Sequence, residues 1–167
     1  GVVPKVTVKE GEYVKAGDPL FINKNFPEVK FASPVSGTIT SIARGERRKV
    51  LAIKINADEK QQFTYFGNFD VSKANGDEVK DFLLKAALFG YINQLPYAVS
   101  TNPTTSPKSI FISALRDMPL AGDFEMELQG NEEAFQVGLT ALSKISTVHL
   151  GIGKKQLSPA LTNAQNV

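Results

Sequence analysis

The sequence predicts a chain of the α+β or α/β class in which a β domain precedes an α/β domain. Two observations lead to this prediction. Residues 6–55 contain many short apolar stretches separated by glycine turns and no helical stretch, which is typical of a small barrel or sandwich of strands. Residues 109–152 contain a strand pattern, a helix pattern and a second strand pattern, which is typical of a crossover unit with parallel strands.

The division between the domains follows the change in pattern. We expect residues 1–57 to form the β domain and residues 58–153 to form the α/β domain. Residues 154–167 are expected to be a truncated C-terminal segment in which a further helix begins. Because the first residues already fit a strand and the last ones are polar, we expect the chain to be an excised fragment of a longer protein.

Composition is that of an ordinary globular protein. The 167 residues include 42% hydrophobic and 22% charged residues, and the formal net charge is +2. The sequence contains no cysteine, which excludes disulfides, thiolate metal sites and a cysteine nucleophile. No apolar run approaches the roughly 20 residues that cross a bilayer, so we expect no direct membrane span. The basic cluster at residues 44–49 is too short to predict nucleic-acid binding and fits a solvated turn.

Residues 75–90 of the α/β domain contain the signals of a helix. Asn75 and Glu78 have the spacing of a capping box, and an apolar stripe follows at helical spacing as far as Phe89. Gly90 stands where helices commonly stop. The prolines of residues 91–108 then predict a long irregular loop, which suits a surface for a partner or ligand.

The crossover unit follows this loop. Residues 109–115 are nearly continuously apolar, as in a strand buried on both faces, and residues 124–128 fit an extended piece. Asn131 is expected to cap the next helix, in which Gly138 allows another element to approach closely. Residues 147–152 are expected to form the second core strand.

No catalytic, cofactor-binding or metal-binding residue is predicted. His149 is the only histidine and lies within a predicted strand, so we expect a structural role for it. The Gly-x-Gly of residues 151–153 lacks the third glycine of a dinucleotide-binding loop. Arg116 and Asp117 follow the first core strand, where ligands of open α/β sheets bind, and they are candidates for contact with a ligand or partner. The alternative for them is a simple turn with an Arg–Asp surface pair.

The spacing of glycines in the β domain carries a first resemblance. Residues 8–20 read VKEGEYVKAGDPL and residues 32–37 read ASPVSG, and together they resemble the barrel sandwich of biotinyl- and lipoyl-type domains. Carriers of that type hold a modifiable lysine beside methionine at a hairpin tip. The corresponding residues, 23–30, contain Lys24 and Lys30 but no Met-Lys pair, so a swinging-arm cofactor is not expected.

A second resemblance covers nearly the whole chain. The order of the predicted elements is similar to that of the A subunit of the sodium-translocating NADH:quinone reductase. Four local sequences are also similar to those of that subunit: ASPVSG at residues 32–37, RGERR at 44–48, ALRDMPLAGD at 114–123 and GLTAL at 138–142. The resemblance implies that the α/β domain is Rossmann-like and incomplete in this chain.

This resemblance implies a function. The A subunit is implied to be a peripheral member of a respiratory complex with several subunits, on the cytoplasmic face of the bacterial inner membrane, with the membrane subunits as its partners. No flavin, metal or other cofactor is implied in it, and a link to the quinone end of the electron path makes ubiquinone a ligand to test in the intact protein. The implied role is structural, in assembly, with a contribution to the quinone reaction. The fragment alone is expected to have no turnover.

The chain departs from the flavin-carrying proteins of similar fold, which are the C subunit of the Rnf complex and the flavin subunit of respiratory complex I. Those proteins have a glycine-rich loop just after a helix, where backbone N–H groups hold the flavin phosphate. The corresponding residues, 85–92, read KAALFGYI and include a single glycine. Phe89 and Tyr91 would obstruct a phosphate there, and they are instead candidates for contact with a ligand or partner.

Two alternative functions stay open at this point. A flavin- and NADH-binding electron-transfer subunit of the Rnf type would make the purified protein yellow. A lipoyl- or biotinyl-like module would be either a carrier, whose modification adds mass to the chain, or a scaffold without a ligand.

Overall fold

The computed structural model describes residues 2–167, which divide into two compact units. The first contains the chain as far as Asn68 together with Asp81–Thr105, and the second contains Phe69–Lys80 together with Ser106–Val167. Helix α1, Gly76–Lys85, runs across this division. The domain bounds drawn from the sequence at residues 57 and 153 stay predictions.

Six strands of the first unit, which have between two and eight residues, form two antiparallel, three-stranded sheets. One sheet has the order β1-β3-β4 and contains Pro4–Val6, Pro19–Asn23 and Lys30–Ala32. The other has the order β2-β5-β6 and contains Tyr13–Val14, Gly37–Arg44 and Val50–Ala57. The predicted β domain of short strands and glycine turns is confirmed.

Apolar residues from both sheets, together with Val8 between β1 and β2, form one core. Four of them are buried and five partly buried ones pack against these; the set is Val8, Val14, Leu20 and Ile39, with Val6, Phe21, Ile42, Ile53 and Ile55. Full burial of such a side chain contributes about 1.5–3 kcal/mol relative to exposure. Because β2 has only two residues, and β1 and β4 have three each, the shared core holds these strands more than their own ladders do.

Residues 33–37 carry the chain from one sheet to the other. The N–H of Gly17 donates to the carbonyl of Ser33 at 2.9 Å, and the N–H of Ser33 donates to the carbonyl of Asp18 at 2.8 Å. The Ser33 hydroxyl donates to the carbonyl of Val35 at 2.6 Å. The crossing segment is therefore fixed to the glycine turn that precedes β3.

Ser36 ties the same crossing to the chain that follows β6. Its side chain is fully buried, and its hydroxyl donates to Oδ2 of Asp58 at 3.0 Å and accepts from the N–H of Gln62 at 2.8 Å. Its own N–H donates to Oε1 of Gln61 at 2.6 Å. The Tyr13 hydroxyl donates to the same Asp58 oxygen at 2.7 Å. A buried polar group is stable only when its hydrogen bonds are made, and those of Ser36 are.

The chain after β6 adds a further edge to the β domain. Phe63 forms a parallel bridge with Ala16. The N–H of Ala16 donates to the carbonyl of Gln62 at 2.9 Å, and its carbonyl accepts from the N–H of Thr64 at 2.8 Å. The Thr64 hydroxyl also donates to Oδ1 of Asp18 at 2.6 Å, so this segment belongs to the first unit.

Helix α1 begins as predicted. The N–H of Glu78 donates to Oδ1 of Asn75, and the N–H of Asn75 donates to Oε2 of Glu78, both at 2.9 Å, which is a complete capping box. Gly76 stands at its first position because a Cβ there would lie 3.2 Å from the Cα of Ile145 and closer still to the carbonyl oxygen of Lys144.

Helix α1 ends earlier than predicted. It stops at Lys85 rather than at Gly90, because Ala87 adopts a φ of +57° and reverses the direction of the chain. Phe89 therefore lies outside the helix, in a separate 3₁₀ turn, Phe89–Tyr91. The prediction failed because glycine is the usual residue in this conformation, and here alanine occupies it.

The segment predicted to be irregular contains a short hairpin. Strand β7, Asn93–Gln94, pairs antiparallel with β8, Val99–Ser100. The prediction failed because a strand of two residues is too short to show the alternation by which strands are recognised.

Two parallel strands and a helix form the centre of the second unit. Strand β9, Ile110–Ser113, pairs with β10, Val148–Gly151, and α3, Glu132–Ile145, lies between them in sequence. The predicted strand–helix–strand order is confirmed. The prediction that the first strand is buried on both faces is wrong, because Phe111 is 68% exposed and stacks on His149 with ring centroids 5.0 Å apart. The two-stranded sheet buries one face only.

Two short helices complete the core of the second unit. Helix α2, Phe124–Leu128, replaces the predicted extended piece, because the side chain of Asp123 caps it by accepting from the N–H groups of Glu125 and Met126. Helix α4, Pro159–Thr162, is the expected further helix. The core contains buried and partly buried residues from both helices, from α3 and from β10, together with Ala114: Ala114, Leu128 and Leu161 with Phe124, Phe135, Leu150 and Ala160.

The two predictions about α3 have different outcomes. Asn131 is the N-cap residue of the helix, as predicted, but its side chain makes no capping hydrogen bond within the described part of the chain; its carbonyl accepts from the N–H of Phe135 at 2.9 Å. The prediction for Gly138 is wrong. A Cβ built on Gly138 would meet nothing within 4 Å, so this glycine does not serve a close approach.

Replacement of Gly37 by alanine is expected to destabilise the first unit by about 2–3 kcal/mol, because overpacking forces backbone shifts. A Cβ at Gly37 would overlap the carbonyl oxygen of Asn56 on the paired strand β6 and lie 2.9 Å from the Cα of Ala57. Urea denaturation measures the loss. The matched control is Gly11→Ala, where φ is +84° but the space is open, and there torsional strain alone costs about 1–2 kcal/mol. Equal losses for the two variants would contradict the steric argument.

Candidate functional site

The 3₁₀ turn after α1 gives the two predicted aromatic candidates opposite environments. Phe89 is 6% exposed, whereas Tyr91 is 78% exposed. Gly90 lies against the ring of Phe31, since a Cβ on Gly90 would be 2.8 Å from that ring. Phe31 in turn stacks on Phe21 with ring centroids 4.7 Å apart. Phe89 is therefore a core residue, and Tyr91 is the candidate available to a ligand or partner.

The hairpin that follows presents exposed apolar side chains. Tyr91, Leu95, Tyr97 and Val99, which we call the hairpin surface, have exposed fractions of 78%, 64%, 84% and 40%. Residues 88–107 contain no charged side chain. Clustered apolar exposure of this kind is typical of a surface that another molecule covers.

Polar contacts hold the hairpin on the β domain. Asn23 is 2% exposed, and its Nδ2 donates to Oγ of Ser100 at 3.4 Å while its Oδ1 accepts from the N–H of Asn25 at 3.0 Å. The Thr101 hydroxyl donates to the carbonyl of Ile92 at 2.9 Å, which closes the base of the hairpin. The exposed side chains are thus mounted on a fixed element, as precise recognition requires.

The helix end that corresponds to a flavin-phosphate loop is closed on itself. The N–H of Leu88 donates to the carbonyl of Leu83 at 2.9 Å, and the N–H of Ala87 donates to the carbonyl of Leu84 at 3.3 Å. This is the hydrogen-bond pattern of a Schellman cap. Ala87 is 3% exposed, so its amide is both bonded and covered.

Arg116 and Asp117 lie beyond the carboxyl end of β9, as predicted. Nη2 of Arg116 is 3.3 Å from Oε2 of Glu127, and its guanidinium lies 5.6 Å from the centre of the Phe124 ring. Asp117 is exposed. The alternative of an Arg–Asp surface pair is wrong, because α2, which the sequence did not predict, brings Glu127 to the arginine instead.

The Gly-x-Gly loop after β10 is also closed by side chains of this chain. The N–H of Gly153 donates to Oε1 of Gln156 at 2.7 Å, and Nε2 of Gln156 donates to the carbonyl of Ala114 at 2.9 Å. The N–H groups of residues 157–158 donate to Oε1 of Glu125. The N–H groups of Gly153 and of residues 157–158 are therefore engaged within the chain at this edge.

Three further features of residues 2–167 bear on function. No group of three or more His, Asp or Glu side chains in this range could hold a metal ion. The stacking of His149 on Phe111 agrees with a structural role for the histidine. None of the helices in this range is long and apolar enough to cross a membrane.

Within residues 2–167, two side chains have shifted pKa values. The hydrogen bond from the Tyr13 hydroxyl to the Asp58 carboxylate raises the pKa of Tyr13 above its ordinary value of 10.0, because the carboxylate stabilises the protonated phenol. Hydrogen bonds from the hydroxyl and N–H of Ser72 lower the pKa of Asp70. Neither group contacts a candidate residue.

Sequence reasoning identified the loop but missed the residues that form the hairpin surface. It predicted that residues 91–108 suit a partner, yet named only Tyr91 from this surface. The absence of charge from residues 88–107 was the available signal, because loops are usually solvated by polar and charged side chains. Leu95 and Tyr97 could have been found from it.

Comparison with protein families agrees with this architecture. The model of the NqrA N-terminal barrel-sandwich hybrid domain matches residues 1–58, and the model of the NqrA second alpha/beta domain matches residues 74–167. The second match alone covers more than half of the chain. The chain belongs to the NqrA family. The two three-stranded sheets lie within the NqrA barrel-sandwich match, and both parallel strands lie within the NqrA second-domain match.

Curated NqrA relatives are similar over most of this chain. Proteins named as the A subunit of Na(+)-translocating NADH-quinone reductase are 34% identical over 169 residues in Yersinia pestis and in Photorhabdus laumondii, covering 99% of this chain and 38% of each relative. The protein of that name from Pseudomonas aeruginosa is 33% identical over 152 residues, covering 90% of this chain and 34% of its own length. The chain thus spans about a third of the length of these relatives, and the resemblance to this family is confirmed.

Tyr13 is expected to ionise above pH 10.0 in this NqrA chain, because ionisation breaks its hydrogen bond to a carboxylate. The stability that this bond contributes is present below the ordinary pKa and is lost as pH rises through the raised one. The phenolate absorbance lost in a Tyr13→Phe variant, followed against pH, measures the midpoint. Asp58→Asn keeps an acceptor oxygen but removes the charge and is expected to lower this midpoint. A midpoint at or below pH 10.0 in the unmodified chain would refute the assignment.

Proposed function

We propose that this chain is part of a peripheral subunit of a sodium-translocating NADH–quinone reductase, on the cytoplasmic face of the bacterial membrane. The observation that carries the proposal is the match of both family domains in order, at residues 1–58 and 74–167. Its role is assembly: the chain docks other subunits of the complex and holds no cofactor of its own.

Occupied backbone amides support the proposed absence of a cofactor. A flavin or nucleotide phosphate needs several unengaged N–H groups at a loop or helix terminus. At the end of α1, the N–H groups of Ala87 and Leu88 bond to helix carbonyls. At the carboxyl edge of the parallel strands, those of Gly153 and residues 157–158 bond to glutamine and glutamate side chains.

The hairpin surface is the proposed site of docking. Its partner is an uncharged, apolar face of another subunit, because a charged face would lose solvation against Leu95, Tyr97 and Val99 without gaining a counter-charge. Tyrosine suits such a contact, since its ring is apolar and its hydroxyl finds a hydrogen-bond partner at the rim. The fixed base of the hairpin keeps the entropy cost of docking low.

A contribution to the quinone reaction is the finer part of the proposal, and Tyr91 is the residue that best supports it. Its exposed hydroxyl can donate a hydrogen bond to a quinone carbonyl, and its ring offers a face for stacking. The other candidates offer less, because Phe89 is buried and Arg116 is engaged by Glu127 and Phe124.

The proposal is tested by purifying the complex through a tag on another subunit. The double variant Leu95→Asp/Tyr97→Asp in the intact protein is expected to lower its recovery with the complex at least tenfold, because interface hot spots of this type contribute about 2 kcal/mol or more. Tyr65→Asp is the matched control, since Tyr65 is 77% exposed but lies outside the hairpin surface. Equal thermal unfolding of all variants verifies that the fold is intact.

Three outcomes would contradict the proposal. Recovery of the double variant equal to that of the control would remove docking from the hairpin surface. Absence of the unmodified protein from the purified complex would overturn the assembly role. Flavin absorbance of the isolated protein would overturn the cofactor-free role and favour the Rnf-type alternative.

The contribution to the quinone reaction is tested separately. Tyr91→Phe is expected to raise the KM for quinone severalfold in a fully assembled complex, because it removes the hydroxyl that donates to the quinone carbonyl. An unchanged KM would refute this contribution.

A further inference from the structure

The loop between β5 and β6 is a preformed tip that carries a dense positive charge. We call residues 44–49, which contain four basic residues and one acidic residue, the basic tip. The N–H of Gly45 donates to the carbonyl of Lys49 at 2.8 Å, and the N–H of Lys49 donates to the carbonyl of Glu46 at 3.1 Å. These bonds close the tip around a 3₁₀ turn, Glu46–Arg48.

The backbone of the tip adopts a costly conformation. Arg47 and Arg48 have φ angles of +51° and +59°, in the left-handed region that residues with a Cβ rarely occupy. Glycine or asparagine would form the same turn with less strain. Strained backbone positions cluster at functional sites. Here both strained residues are arginines.

The cations of the basic tip have no carboxylate partner within residues 2–167. The ion pairs in that range are Lys73–Asp70 and Arg116–Glu127. All four basic side chains of the tip are exposed: Arg44, Arg47, Arg48 and Lys49. Nη1 of Arg44 donates to the carbonyl of Arg48 at 3.3 Å. The charge is therefore presented outwards rather than used to stabilise the unit.

An exposed leucine stands beside this charge. Ala43 pairs with Ala52 and Arg44 pairs with Val50, so Leu51 is the extra residue of a β-bulge. Its side chain is 63% exposed and lies along Gly45, where a Cβ would be 3.1 Å from its Cδ1. The bulge thus turns an apolar side chain outwards at the rim of a positively charged loop.

From this juxtaposition we propose that the basic tip binds the surface of a bilayer that contains anionic phospholipid. Arginine and lysine contact the headgroup phosphates, and Leu51 enters the boundary between headgroups and acyl chains. The contact is independent of the proposed docking of the hairpin surface, because it requires no other subunit.

Lipid fits this surface better than nucleic acid does. Single-stranded nucleic acids are held by aromatic side chains that stack on bases, and residues 43–55 contain no aromatic residue. An exposed leucine adds nothing to a phosphate backbone, whereas it adds apolar burial at a lipid interface. The tip is also a short protruding hairpin end rather than a groove or stripe.

Sedimentation of the 167-residue chain with vesicles tests the proposal. Vesicles of phosphatidylcholine with phosphatidylglycerol are expected to bind the chain, and vesicles of phosphatidylcholine alone are not. The variant Arg47→Asn/Arg48→Asn keeps the left-handed backbone and is expected to weaken binding about 25-fold, because each basic residue near an anionic surface contributes about fivefold. Raised salt is expected to weaken binding of the unmodified chain.

A matched control removes the same charge elsewhere. Lys5→Gln/Lys60→Gln neutralises two exposed lysines away from the tip and is expected to change binding less than about threefold. Leu51→Asn is expected to weaken binding severalfold even at raised salt. The proposal is overturned by equal binding to both kinds of vesicle, by no binding to either, or by equal losses in the arginine and lysine variants. Tighter binding of a single-stranded oligonucleotide, lost in the arginine variant, would assign the tip to nucleic acid and also overturn it.

Discussion

The crossing of residues 33–37 between the two small sheets is the constraint on which the first unit depends. Ser33 bonds to the turn before β3, and Ser36 bonds to Asp58 and to the chain that follows β6. Gly37 then enters β5 so close to β6 that no side chain fits. Strands β1, β2 and β4, with two or three residues each, cannot hold themselves together, so the crossing and the shared apolar core hold them against the longer strands.

The exposed surface of the first unit is available for binding. Because the crossing and the core stabilise the β domain, the hairpin β7–β8 and the tip between β5 and β6 can have exposed side chains that are not needed for its stability. One presents apolar rings without charge, and the other presents charge beside a single leucine. A cofactor carrier would instead place a reactive lysine at such a position, and Lys24 lies in a turn that lacks the carrier sequence.

The sequence was sufficient for the elements whose pattern is local. Glycine turns with alternating apolar residues predicted the β domain, and the capping box predicted the first residue of α1. It was insufficient where an unusual residue adopts a special conformation, as Ala87 does at the end of α1. It also failed for α2, whose five residues are held by the Asp123 cap and by tertiary packing rather than by periodicity.

The candidate residues show the same limit. Composition could not reveal that Phe89 is buried while Tyr91 is exposed, because both lie in one short turn and only tertiary packing decides which side chain is covered. Nor could it reveal that Arg116 pairs with Glu127, eleven residues away. The lack of charge in residues 88–107, by contrast, is a property of the sequence alone.

Hydrogen–deuterium exchange tests most directly the central proposal, that this chain docks on other subunits of a larger complex. The amides of residues 93–100 are compared between the isolated chain and the detergent-solubilised complex. Docking at the hairpin surface predicts that they exchange at least about tenfold more slowly in the complex, because covering the hairpin suppresses its local opening. The amides of residues 46–49 should exchange equally in both samples, since no bilayer is present. Identical exchange of residues 93–100 in the two samples would contradict the account.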